Sequence, residues 1–452
     1  MPLGMFSFWA WSRVFGAGEL AMRSINLVWA AIALAAFARV GRLLLIPWLP
    51  VFFAIQPFVW YYTNYARTPL MQMAGGALLL AGATGFLPGG KKAAMDAVLL
   101  CLGGLLLSGT HILGMLPLAA VACWIVLQGI WQKLRFSLGA KTLLFLSMSV
   151  LIALSAYYVT TLLHGISGDK YWVVSPANVF FVIYEFLGFS GVGPGRQDLR
   201  DIMKGMASSF GIFPFIPGLI LLAAAYLFLF AAATKSWMTR EIPPAACAQG
   251  IGPKCPARSY VLLSPWLMGL GVPLLSVSAL FLIALALGQP FWGRELAGAF
   301  PFWILALGIT IHWARQGIWR KVGRLAGGAI LICLLTSSLL IRFAPRHRHD
   351  DYRGAATEAL KLSTAGKTIW WAADYLCGTY YGLPTQDTEI TGSPGKIFPA
   401  RNRDDPGSPD AIILSRCDIF DSRGSVARLI GSGTYEKICG FKAFEVWEKK
   451  KR

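Results

Sequence analysis

The sequence predicts an α-helical polytopic membrane protein, with about ten transmembrane helices and a small C-terminal α/β domain. Three observations predict it. Hydrophobic residues make up 56% of the 452 positions and charged residues only 14%, against roughly 25% charged in soluble domains. The mean hydropathy of +0.57 is too apolar for a water-soluble fold of this size. The 17 Trp and 28 Phe suit aromatic belts at membrane–water interfaces. The net charge of +19 does not argue for nucleic acid, because most cations sit in short loops between apolar runs, as a topology signal does.

The elements follow in order. Residues 1–18 read as an interfacial segment: Met5 to Phe15 is a short amphipathic helix. Pro2, Trp9, Trp11 and Arg13 fit neither the basic start nor the small-residue cleavage site of a signal peptide. The bundle, 19–344, has spans near 20–38, 43–63, 69–87, 93–109, 112–131, 142–163, 209–233, 263–287, 297–312 and 325–343. Each approaches the roughly 20 apolar residues that a 30 Å hydrocarbon core needs.

Lysine and arginine set the orientation. One set of loops carries Arg39, Arg42, Lys91, Lys92, Lys133, Arg135, Lys141, Lys235, Arg240, Lys254, Arg258, Arg315, Arg320, Lys321 and Arg324. The opposite set carries fewer cations, offset by Asp169, Glu185, Asp198, Asp201 and Glu295. The positive-inside rule makes the first set cytoplasmic. The tail, 345–452, is then extracytoplasmic, and so are residues 1–18. That placement of the start leads us to expect a further helix upstream.

The outer loop 164–208 mixes Tyr171, Trp172, Tyr184 and Phe189 with charges and reads as a functional loop. In the tail, 351–363 has helical periodicity, while 368–373, 411–415 and 441–447 read as strands. Of eight cysteines, Cys101, Cys123 and Cys333 lie in apolar runs and read as inert core residues. Cys247 and Cys255 match no standard zinc spacing. Among Cys377, Cys417 and Cys439 one disulfide is open, with any pairing.

Several segments, in sequence order, carry a resemblance. Pro2-Leu3, Phe6 to Phe15 and Glu19-Leu-Ala-Met-Arg23 come first. Trp60-Tyr-Tyr-Thr-Asn-Tyr-Ala-Arg67 follows, then Gly109-Thr-His111 before Leu116-Pro-Leu-Ala-Ala. Gly293-Arg294 with Pro301, and Arg348-His-Asp-Asp-Tyr-Arg353, complete the set. Together they resemble the bacterial branch of the lipid-linked-sugar glycosyltransferases of the membrane-embedded C-type fold (family 39-like). That superfamily includes the dolichyl-phosphate-mannose protein mannosyltransferases and the lipid A aminoarabinose transferases. The resemblance covers about residues 1–355.

It implies transfer of a sugar from a polyprenyl-phosphate donor to an extracytoplasmic acceptor (glycan, lipid or protein), in the bacterial inner membrane. It also implies a first span and a first outer loop with a catalytic Asp, ahead of the point where this sequence starts. We therefore expect an upstream extension, and the activity of the chain as given is open. Arg294 is followed by Glu295 where the family has Tyr.

Such a reaction needs a carboxylate to take the acceptor's proton and cations to hold the leaving phosphate. Candidates for the base are Glu19, Asp169 and Glu185. A Glu19–Arg23 pair one turn apart is commonly structural, although ionisable groups at membrane depth flag function. Substrate-binding candidates are Arg67, Arg294, Tyr62, His111, Lys170 and Arg196. The plain readings are a snorkelling Arg67, an Arg294–Glu295 surface pair, a capping or packing His111, and solvated Lys170 and Arg196. The five His are scattered, so no metal cluster is assigned, and a divalent metal is left open. No cofactor is assigned. The expected partners are the lipid-linked sugar, the bilayer and the acceptor, with no nucleic acid.

Three other readings compete. A transporter or flippase of envelope lipids would carry charges at the bilayer midplane, where these spans are nearly bare. An accessory or scaffold protein would need no catalytic acid. An O-antigen polymerase or ligase would usually lack a folded tail.

Overall fold

A computed structural model of the protein describes residues 2–85, 94–132, 153–154, 156–158, 160, 174–195, 198–199, 213–238, 258–288, 291–316, 319–347, 350–384, 397–399, 408–416, 420–421 and 424–450. It separates into two compact units, Met1–His347 and Arg348–Arg452.

The first unit is helical: α1 (Pro2–Phe15), α2 (Glu19–Leu44), α3 (Leu49–Ala54), α4 (Pro57–Thr63), α5 (Pro69–Gly85), α6 (Ala94–Thr110), α7 (Met115–Gln132), α8 (Pro176–Phe186), α9 (Ile216–Met238), α10 (Arg258–Leu287), α11 (Phe300–Ala314) and α12 (Arg320–Phe343). Among the described residues four helices are long and apolar enough to cross a membrane: Glu19–Leu44, Phe213–Met238, Leu263–Leu287 and Arg320–Phe343. Shorter apolar helices accompany them, and Phe300–Ala314 is buried along nearly its whole length. Large apolar side chains such as Leu227 (72% exposed) and Leu282 (66% exposed) point outward, as lipid-facing residues do. Cys123 also faces outward rather than lying in the core. The protein is a polytopic helical membrane protein with a small C-terminal α/β domain.

Helix α2 ends where Leu45 takes a left-handed conformation and the Ile46 amide donates to the Gly41 carbonyl at 2.7 Å. A Cβ at Gly41 would lie 2.6 Å from the Ile46 carbonyl oxygen, so the reversal needs glycine there. The expected span 43–63 is not one helix. It breaks at Ile55–Gln56, because Pro57 lacks the amide that would continue the ladder. Ser338 of α12 donates to the freed Ile55 carbonyl at 2.7 Å, and the Trp60 indole to the Ala54 carbonyl at 2.6 Å. The break is thus satisfied inside protein, as membrane depth requires. Helices α5 and α6 meet along a small-residue seam. A Cβ at Gly75 would touch the Gly103 carbonyl at 3.2 Å, and one at Gly82 would lie 2.6 Å from the Leu100 amide.

The expected span 142–163 lies largely outside the described residues. The expected outer loop contains α8, whose 11 residues cover only about 16 Å and cannot span.

The alternating helices sort their ends. At one end Arg39 pairs with the buried Asp96, and Arg315, Arg320, Lys321 and Arg324 follow α11 or open α12. At the other end lie the start of α2, the α4–α5 turn, the α6–α7 junction, the start of α11 and the end of α12. Among the described residues, Arg39, Arg315, Arg320, Lys321 and Arg324 therefore lie at the end of the bundle opposite Arg67, His111 and Arg294.

The second unit contains α13 (Tyr352–Thr364), β1 (Ile369–Ala372), α14 (Tyr375–Tyr380), β2 (Ile397–Pro399), β3 (Ala411–Ser415), α15 (Ser425–Gly431), β4 (Tyr435–Phe441) and β5 (Phe444–Lys449). The sheet order is β2-β1-β3-β5-β4, parallel from β2 to β3 and antiparallel thereafter. Ala355, Ala359 and Leu362 of α13 pack with Trp371 and Ile413 on one face, while Val426 of α15 packs with Trp370 and Ile412 on the other. The sequence reading missed β2 and β4. Cys377 and Cys439 form no disulfide with each other, and Cys417 lies outside the described residues.

Candidate functional site

The cation-poor end brings several sequence candidates onto neighbouring segments. The amphipathic α1 does part of the joining. Its Gly4 is buried, and a Cβ there would lie 2.5 Å from the Thr68 methyl carbon and 3.8 Å from that of Thr110. The residue after Arg67 and the residue before His111 are thus held against the same helix start. Ser7 adds a contact to Met71 Sδ at 3.7 Å.

Arg67 follows a turn fixed from two sides. Buried Asn26 of α2 donates its amide to the Tyr65 carbonyl at 2.5 Å and to those of Tyr62 and Thr63 at 3.2 and 3.3 Å. Arg342, at the end of α12, donates to Asn64 Oδ1. The exposed Arg67 guanidinium lies 5.7 Å from the Tyr65 ring centroid, and that cation–π contact orients it. Tyr61 and Tyr65 share a hydroxyl contact at 3.0 Å. Tyr62 is only 2% exposed, and its ring packs edge-on to Phe58 and Tyr61. It builds the wall of the turn and does not stand open to a ligand.

Arg294 sits in a 3-10 turn, Gly293–Leu296, that leads into α11. One carboxylate organises the turn: Glu295 accepts from the Trp292 amide at 2.9 Å and from Arg294 Nε at 2.6 Å. The Arg294–Glu295 pair expected from sequence is therefore present, and Glu295 acts as cap and counter-ion together.

His111 caps the next turn. Its Nδ1 accepts from the Leu113 amide at 3.1 Å, which leaves the proton of the neutral ring on Nε2. Burial pushes the imidazole below its ordinary 6.5; nearby Glu295 opposes this and Arg294 reinforces it. At neutral pH His111 is thus an uncharged donor beside the Arg294 turn. The turns at 112–114 and 293–296 pack together.

Glu185 of α8 is fully buried, and its Oε2 lies against Gly293 so closely that a Cβ would overlap it. Asn178 supports this arrangement by donating to the Phe291 carbonyl at 3.0 Å, while Phe181 meets Trp292 edge-on with centroids 5.3 Å apart. Glu19 forms its expected pair with Arg23 at 3.4 Å. Asp169, Lys170 and Arg196 lie outside the described residues.

Asn26, Asn178 and Arg342 were missed from sequence. A lone Asn inside an apolar helix was the available signal for Asn26, and Ser175-Pro176 marked the helix start that places Asn178. Among the described residues no cluster of three or more His, Cys, Asp or Glu could hold a metal ion.

No protein-family model matches the chain, and no curated relative matches it. Among solved structures it is similar to ArnT from Cupriavidus metallidurans bound to undecaprenyl phosphate, at 14% identity and a TM-score of 0.42, covering 99% of this chain and 87% of that one. The apo structure of the same protein gives 15% identity and a TM-score of 0.38 with the same coverage.

Proposed function

We propose that the protein is a membrane glycosyltransferase that moves a sugar from a polyprenyl phosphate to an extracytoplasmic acceptor. The observation that carries this reading is the convergence, at the cation-poor end, of the segments bearing Arg67, His111, Arg294 and Glu185. The segments bearing Arg67, His111 and Arg294 also carry the ordered sequence resemblance to the C-type lipid-linked-sugar transferases.

The chemistry follows from the groups present. The acceptor hydroxyl loses its proton to a carboxylate and attacks the anomeric carbon. The bond from that carbon to the lipid phosphate oxygen breaks, and the phosphate leaves with its negative charge. Arg67 has no carboxylate partner among the described residues, so its full charge is available to that phosphate, and Arg342 of α12, held on Asn64 of the turn, brings a second guanidinium to it. Arg294 is half-compensated by Glu295. His111 contributes a neutral donor. Glu185 and Glu19 are the carboxylates available as base among the candidates described. The positive-inside rule puts the Arg39 and Arg315–Arg324 end in the cytoplasm of a bacterial inner membrane, and the site and the C-terminal domain outside.

The test is sugar transfer from a polyprenyl-phosphate donor by the purified protein. Arg67→Ala is expected to lower transfer by about tenfold to a hundredfold, the scale of one charge-assisted bond. Wild-type transfer by Arg67→Ala and Arg294→Ala alike would remove the proposal. A cytoplasm-active reporter fused after Arg452 is expected to stay silent; a signal would overturn the orientation.

A further inference from the structure

At the opposite, cation-rich end, a groove of about 410 Å³ opens between α3, the end of α11 and the start of α12. Its walls are apolar, with Phe52, Ile311 and Leu331 among them. Its depth comes from glycine on α12. A Cβ at Gly328 would meet nothing within 4 Å, and one at Gly327 only the Ile311 side chain at 3.5 Å. Two guanidinium groups, Arg315 and Arg324, line the same groove, and both residues are exposed. Among the described residues neither has a carboxylate partner. Trp48 completes the lining and has the amphipathic character of an interfacial anchor.

We propose that this groove binds one anionic phospholipid, with its phosphate on Arg315 and Arg324 and an acyl chain along Gly327 and Gly328. The charge decides the headgroup. Two uncompensated arginines favour a net negative lipid, whereas a zwitterionic lipid brings its own cation to the same place. The apolar length decides between lipid and free phosphate, because a soluble anion leaves the groove empty. Basic pockets between transmembrane helices on the cytoplasmic side hold anionic headgroups by this physics. The site stands apart from the transfer site proposed above, and does not depend on it.

The test uses the purified full chain in detergent, supplied with phosphatidylglycerol or phosphatidylcholine, and counts retained lipid by native mass spectrometry. The wild type is expected to retain phosphatidylglycerol in preference. Arg315→Gln with Arg324→Gln is expected to reduce that preference by about fivefold per arginine. Gly328→Leu, which has room for its side chain, is expected to fill the groove and lower retention of both lipids. Equal retention of the two lipids by the wild type would overturn the proposal, as would displacement of the lipid by millimolar inorganic phosphate. If the double variant fails to fold, Gly328→Leu decides: unchanged phosphatidylglycerol retention overturns the site.

Discussion

The carboxylate of Glu185 lies directly against the Cα of Gly293, one residue before Arg294. A fully buried acid on α8 and the turn that presents an arginine are thereby fitted to each other. A methyl group at 293 has no space unless one of them moves.

Gly293→Ala is therefore expected to push the 293–296 turn away from α8. Overpacking of this kind costs about 1–3 kcal/mol, and the displaced Arg294 should lower sugar transfer more than it lowers the melting temperature. Thermal unfolding and transfer assays on the same preparation check this. A variant with wild-type transfer would show that the fit is incidental.

Asn26 offers a second test, at the other arginine. Its amide serves the carbonyls of Tyr62, Thr63 and Tyr65. Asn26→Leu keeps the volume and removes the donors, so the Arg67 turn loosens. A loss of about 0.5–1.5 kcal/mol in stability is expected for each hydrogen bond removed, together with weaker donor binding. Unchanged melting and binding would contradict the role given to this residue.

His111 gives a pH dependence whose sign is fixed. Its pKa in the folded protein lies below the ordinary 6.5, so the unfolded chain takes up the proton first as pH falls. The neutral, buried ring contributes its full stability above about pH 6.5 and loses it as pH drops from there through the folded-state pKa. Melting curves of wild type and His111→Gln between pH 8 and 5 should show the wild-type advantage shrinking toward the acid side. An advantage that grows on acidification would contradict the assignment.

Long helices such as Ile216–Met238 and Arg320–Phe343 were legible because lipid-facing and buried positions are both apolar, so hydropathy alone marks them. The loop cations were legible because the apolar runs between them carry few charges. What hydropathy could not show was interruption. Gln56 and Pro57 lie inside an apolar run, and the break is made tolerable in part by Ser338, far along the chain. Helix α8 was hidden because its 11 residues are aromatic and too short for a spanning pattern. Strand β4 was hidden because it is an edge strand with mostly exposed side chains.

At the site, Arg67, His111 and Arg294 were visible as charged or polar residues at span ends. Tyr62, a substrate-binding candidate from sequence, is buried in the wall of the turn; an aromatic cluster does not say which ring turns inward. Asn26 and Arg342 act through backbone and side-chain contacts with residues distant in sequence, and spacing carries no trace of such contacts.

The central claim is that a polyprenyl phosphate rests on Arg67. Titration of undecaprenyl phosphate into the purified protein tests it most directly. The wild type should bind, and Arg67→Ala should bind at least about tenfold more weakly, the scale of a lost charge-assisted contact. Equal affinity in the two proteins would contradict the account.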